Sequence, residues 1–329
     1  MDRRKLILTA LKHSSVFAGS GLCLSCMSSL VRQQPSSRLS DSQDLLEDFA
    51  SAPGGEPLNK QDLLSEEEEA RLYHHKSHLS RSGNSDDISK YEQYRMKYFD
   101  RHHPGDLFVP EDKRATLHSL FDKLTAIRAY IGYGHFNLLG FDQMLQIGQS
   151  ALGRRQFSRA ELNFFEEIFY SDAKTYGFYG KKINQNMTET ISSGKIVKIA
   201  GSGHYLHREY SLPIYEKIIR DVGQSLILTS GLRGVVKQMR LFLGKTLSVE
   251  YNLSQASRSL APPGHSYHAI GDFDIGKKGL GSFNFTDKFS QTDEYKKLTD
   301  LGYIDIRYPT NNPFGVRFEP WHIEGAGHG

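Results

Sequence analysis

Cysteine is almost absent: the 329 residues hold two, Cys23 and Cys26, both close to the N-terminus. This excludes a disulfide-stapled scaffold and a thiolate zinc cluster in the body of the chain, so a metal held there must take His and carboxylate ligands. Excess charge of one sign is also lacking, since 41 Lys and Arg against 38 Asp and Glu leave +3. No nucleic-acid partner and no polybasic membrane patch follow from that balance. Apolar residues reach only 38%, which excludes a polytopic membrane protein, each span of which needs about 20 of them in a row. No Gly-x-Ser-x-Gly elbow occurs, so a serine hydrolase of that kind has no support. Gly201-Ser202-Gly203-His204 lacks the phosphate-loop Lys and the second half of a dinucleotide fingerprint, and reads as a turn between strands. There is no internal repeat.

What is present begins with Arg3-Arg4-Lys5-Leu6-Ile7-Leu8 and a mildly apolar run from Val16 to Val31. A basic start before a weak apolar run is the pattern of a twin-arginine export signal, expected over residues 1–31. The protein is then exported, periplasmic or at the cell envelope, and meets a membrane only through that segment if it stays uncleaved. Residues 32–87 are rich in Ser, Gln, Asp and Gly, show little apolar periodicity, and read as a flexible linker. His74, His75, His78, His102 and His103 fall in or beside this polar region and read as solvated surface histidines.

From 88 to 190 the pattern is helical. Leu117, Leu120, Phe121, Leu124, Ile127 and Ile131 recur at helical spacing, and Ser158 with Glu161 forms a capping box before Leu162, Phe165, Ile168 and Phe169. A helical subdomain is expected there, followed by a mixed α+β segment over 191–329. Strands are expected at 195–199, 226–229 and near 247–251, with helices at 214–222 and 235–243.

Two stretches near the C-terminus concentrate chemistry. Pro263 to Gly276 brings His265, His268, Asp272 and Asp274 into one turn-rich segment, and Glu319-Pro320-Trp321-His322 contains the chain's only Trp. A zinc hydrolase needs these types: two imidazoles and a carboxylate can hold the ion while a fourth position is left for water, whose pKa falls toward about 7. A further carboxylate must then carry the proton from water to the leaving amine, and Glu319 stands three residues before His322 behind a stiff Pro-Trp link.

From about Leu226 to Glu324 the chain resembles the zinc D-alanyl-D-alanine carboxypeptidases of the vancomycin-resistance type. The residues that carry this are Ser230-Gly231-Leu232-Arg233 with Gln238, then Ser266-x-His268-x-x-Gly271, then Glu319-Pro320-Trp321-His322. The resemblance implies an α+β fold, a small, mostly antiparallel sheet with flanking helices around a zinc groove, preceded by the helical subdomain. It implies zinc on His268, an Asp and His322, with Glu319 as general base and then acid. Arg233 would stabilise the oxyanion, and Ser266 and Gln238 would bind substrate. The implied activity is removal of the terminal D-alanine from peptidoglycan stem peptides. An endopeptidase of the same fold and a non-catalytic cell-wall-binding module are the alternatives. One departure stands out: the family's Asp follows its His by seven residues, whereas position 275 is Ile and Asp274 and Asp272 follow His268 by six and four. Either a contraction after Gly271 lets Asp274 reach the metal, which is the expectation, or His265 pairs with Asp272.

Overall fold

The computed structural model describes residues 63–79, 90–302 and 305–325. The expected export signal, both cysteines and much of the linker lie outside the described residues. The chain enters through α1 (Glu66–Leu79) and α2 (Lys90–Lys97). Helix α1 falls inside the stretch expected to be flexible. It lacks an apolar stripe and docks instead by charge: the Glu69 carboxylate bonds to Nδ1 of His103, and Arg101 lies 3.5 Å from the same carboxylate. His103, expected at the surface, is therefore buried, with Nε2 at 2.8 Å from the carbonyl of Tyr98.

Helix α3 (Glu111–Ile131) is a three-four repeat made solid: Leu117, Leu120, Leu124 and Ile127 are completely buried along one face. Each such side chain contributes about 1.5–3 kcal/mol by leaving water. Acidic Glu111 and Asp112 complement the dipole at its start. After α4 (Phe141–Leu152), helix α5 (Arg159–Tyr170) opens on the expected capping box, in which Glu161 N donates to Ser158 Oγ and Ser158 N to the Glu161 carboxylate. Glu161 also accepts from Lys123 at 2.6 Å, fixing α5 to α3.

A hairpin follows, β1 (Ile196–Lys198) and β2 (Tyr205–His207), with Gly201 to His204 in the turn between them. Helix α6 (Ser211–Val222) then leads to β3 (Leu226–Ser230). Helix α7 (Val235–Ser248) is buried nearly all round and runs five residues past its expected end. The strand expected near 247–251 does not form, because the helix claims Leu247 and Ser248, and Glu250 and Tyr251 take left-handed backbone angles that no strand admits. Then come β4 (Phe273–Lys277), α8 (Asp293–Asp300) and β5 (His322–Ile323). Strands β3, β4 and β5 form an antiparallel sheet with β4 in the centre.

Among the described residues the helices and the β3–β5 sheet share one core. Leu117 and Phe165 share one core cluster with Phe242 of α7 and with Leu228, Phe273, Ile275 and Ile323 of the sheet. The helices thus form part of the same compact unit, and the loop after α5 reaches the site directly: Ile183 N and Asn184 N both donate to the carbonyl of Gly264. No helix among the described residues is long and apolar enough to cross a membrane.

Candidate metal centre

The site is built where β3 ends. A register shift between Leu228 and Ser230 brings Ser230 opposite Asp274 on β4, and the next residue, Gly231, must be glycine because a Cβ there would lie 2.2 Å from the carbonyl oxygen of Tyr205. This buried turn orients the first imidazole: the Gly231 carbonyl faces Nδ1 of His268 at 2.8 Å, and Arg233 N donates to the carbonyl of His268 at 3.2 Å. His268 itself sits in a single 3-10 turn, Tyr267–Ala269. The chain then contracts. Asp272 N bonds back to Tyr267 O, and Gly271 adopts φ 132°, a left-handed region open to glycine.

That contraction sets the strand phase. Successive residues of β4 point to opposite faces. Phe273 and Ile275 enter the hydrophobic core, while Asp274 lies directly opposite His322 of β5. Both carboxylates flank the same imidazole: Asp272 Oδ2 is 3.0 Å from its Nε2 and Asp274 Oδ1 3.5 Å from its Nδ1. Glu319 arrives through the turn closed by His322 N and Glu319 O, and its Oε2 lies 3.4 Å from His322 Nδ1.

One ligand atom each from His268, Asp274 and His322 lies within 4.8 Å of the other two, all three residues being buried. His268 Nδ1, with its proton, serves the Gly231 carbonyl, so Nε2 presents a lone pair. Neither that Nε2 nor Asp274 Oδ1 has a hydrogen-bond partner among the described residues. Buried polar atoms without partners are costly and call for a ligand. Asp274 Oδ1 stands 3.4 Å from His268 Nε2 and 3.5 Å from His322 Nδ1. Bonds of about 2.0–2.2 Å around a tetrahedral zinc ion require ligand atoms about 3.3–3.6 Å apart. The donor set and its spacing fit zinc.

The protonation states are shaped by the same contacts. Burial, with the neighbouring Arg233 charge, pushes His268 down to about 4, leaving a neutral imidazole. Burial works against ionisation of Asp274, but His268, protonated in the acid range where this carboxyl titrates, and the Arg233 guanidinium outweigh it and hold the carboxyl down at about 2. Burial likewise opposes a charge on His322, yet hydrogen bonds to Asp272 and Glu319 push it up to about 9.

The remaining candidate residues divide. Arg233 lies at the centre, its Nη2 donating to Asp274 Oδ2 at 2.5 Å and its Nε to Ser230 Oγ at 2.9 Å. Ser266 is buried just before the His268 turn, with no side-chain cap bond there. Gln238, expected to touch substrate, is buried and held by protein contacts. Its amide donates to Arg233 O and Asn184 Oδ1 and accepts from Gly264 N, tying three segments together. His265 turns to the Lys181 carbonyl and packs on Phe178. Asp272 has both oxygens occupied by Arg307, Gly325 N and His322. Sequence reasoning passed over Arg307 and Tyr308, whose ring packs edge-on against His322 at 4.9 Å.

Residues 214–328 match the family model VanY, D-alanyl-D-alanine carboxypeptidase. No curated protein matches. Among solved structures, similarity is found to a mutant of the vancomycin-resistance D,D-pentapeptidase VanY from a VanB-type cassette in complex with Zn(II). It is 23% identical over 40% of this chain and 78% of that one, with a TM-score of 0.32. A second, VanYB in complex with D-alanine-D-alanine, is 21% identical over 45% of this chain and 86% of that one, with a TM-score of 0.34.

Proposed function

We propose that this chain, whose residues 214–328 carry the D-alanyl-D-alanine carboxypeptidase match and with it a zinc metallopeptidase domain, removes the terminal D-alanine from peptidoglycan stem peptides outside the cytoplasm. The observation that carries the reading is the convergence of His268 Nε2, Asp274 Oδ1 and His322 Nδ1, two of them buried with no hydrogen-bond partner among the described residues, beside a buried glutamate. Such a cluster favours an enzyme over a wall-binding module that only keeps the fold. Export rests on the Arg3-Arg4-Lys5 start and the apolar run behind it.

Zinc held by these three side chains would supply a Lewis acid and a water ionisable near about pH 7. Glu319 takes the proton from the attacking water as the carbon–oxygen bond forms, and returns it to the amine nitrogen as the carbon–nitrogen bond breaks. Its carboxylate is well placed for this, 5% exposed and braced by the Arg317 guanidinium at 3.9 Å. Arg233, fixed between Ser230 and Asp274, stabilises the carbonyl oxygen as it gains charge. Ser266 remains the candidate for a hydrogen bond to substrate. Gln238 acts one step back, by holding the backbone of Arg233 and Gly264 in register.

The test is release of D-alanine from a synthetic stem pentapeptide by zinc-loaded protein, with a matched substrate cut at an internal bond alongside. Terminal D-alanine released, and lost on chelation, is the expected result. Internal cleavage alone would select the endopeptidase reading, and no cleavage of either peptide by the zinc-loaded protein would reject the enzyme.

A further inference from the structure

Asp272 is completely buried, and each of its oxygens accepts two hydrogen bonds. Oδ1 takes Arg307 Nη2 at 3.2 Å and Gly325 N at 3.1 Å; Oδ2 takes Arg307 Nε at 2.9 Å and His322 Nε2 at 3.0 Å. A carboxylate so filled has no lone pair to offer a metal in the site. It also cannot drift, because Arg307 grips it with two parallel donors, lies over the Tyr267 ring at 4.0 Å, and donates its backbone N to the carbonyl of His322. His322 is pressed from the sides by the rings of Tyr308 and His268, at 4.9 and 4.6 Å between centroids. The imidazole therefore has one direction left for its second nitrogen: Nδ1 faces Asp274 Oδ1 and Glu319 Oε2.

We propose that Asp272 is the positioning residue of the metal centre, holding the Nε2–H of His322 so that Nδ1 is the ligand atom, with Arg307 and Gly325 N fixing the carboxylate in turn. The proposal rests on the zinc reading above. It assigns Asp272 to His322 the part that the Gly231 carbonyl plays toward His268, where Nδ1 is held and Nε2 is presented. The two imidazoles thus use opposite nitrogens, each oriented by a different outer partner. Partners of this kind fix tautomer and ring orientation, and their loss typically weakens metal binding by about 10–100-fold.

The experiment measures the zinc dissociation constant of the full chain by chelator competition, for the parent and for Asp272→Asn, together with nitrogen NMR of histidine-labelled, zinc-loaded parent. The expected spectrum shows His322 with a proton on Nε2 and metal on Nδ1, and the expected affinity loss in the variant is about 10–100-fold. The spectroscopic readout does not move with a merely structural loss, and it decides the matter from the parent alone if Asp272→Asn fails to fold. Metal on Nε2 of His322, or an affinity in the variant within about twofold of the parent, overturns the proposal while leaving the zinc site standing. A parent that binds no zinc rejects the zinc reading and this inference together.

Discussion

Lowering the pH should strip zinc from this site far above the range in which carboxylates titrate. The perturbation acts on His322, whose Nδ1 must be deprotonated to bind metal but which, metal-free, is pushed up to about 9 by its hydrogen bonds to Asp272 and Glu319 against the opposing effect of burial. Below that value each zinc taken up displaces one proton. Apparent affinity therefore falls tenfold per pH unit, or about 1.4 kcal/mol, across the neutral range. His268 joins only near its own value of about 4, where the slope doubles. The same shift has a consequence for the metal-free protein. A raised folded-state value contributes stability that is complete below the unfolded histidine value of about 6.5 and is lost as pH rises through the folded one, on the order of 3 kcal/mol in all. Metal-free protein is thus predicted to lose His322-linked stability between about pH 6.5 and 9, while zinc binding strengthens over that interval. Competition titrations against a chelator of known proton affinity would read the slope, and calorimetry in buffers of different ionisation enthalpy would count the proton released. A zinc affinity flat between about pH 6 and 8, with no proton released, would refute the reasoning.

Three other outcomes are expected. Glu319→Gln should keep zinc and lose about 10²–10⁴-fold in kcat, the ordinary yield of a general acid-base group; zinc analysis beside D-alanine release separates that from loss of the metal. Arg258→Ala should unfold more easily by about 3 kcal/mol, because Asp106 would lose the bidentate contact at 2.8 and 3.0 Å in a buried network shared with Arg95; denaturant titration reads it. Gly231→Ala should cost about 1–3 kcal/mol through the forced contact with the Tyr205 carbonyl and should lower zinc affinity by moving the Gly231 oxygen away from His268; melting curves with and without zinc report both effects.

The helices that bury apolar faces were the legible part of the fold. The repeat from Leu117 to Ile127 and the Ser158-Glu161 box each carry their information within a few residues, and both appear where periodicity places them. Helix α1 escaped notice because its docking depends on Glu69 meeting His103, a contact 34 residues apart that leaves no apolar stripe. The core runs continuously across residue 190, and Phe165 and Phe242 belong to the same cluster, a long-range packing that local periodicity does not reveal.

At the site, the residue types of His268, Glu319 and His322 were readable from their motifs. The placement of Asp274 was not fixed by spacing alone, since it turns on a tight turn at Gly271 that resets which side chains of β4 face His322. The place of Asp272 was still less accessible, because its partners, Arg307 and Gly325, lie 35 and 53 residues away. Nothing in its local sequence distinguishes a ligand from the partner of a ligand.

Whether His268, Asp274 and His322 hold a catalytic zinc ion can be read by metal analysis without any substrate. The purified chain, His322→Ala and Asp274→Ala would be loaded with zinc, freed of excess and analysed for stoichiometry, with circular dichroism confirming that each is folded. About one zinc per chain is expected in the parent and almost none in either variant, as a three-ligand site requires. Full zinc retention in Asp274→Ala, or a folded parent that takes up none, would contradict it.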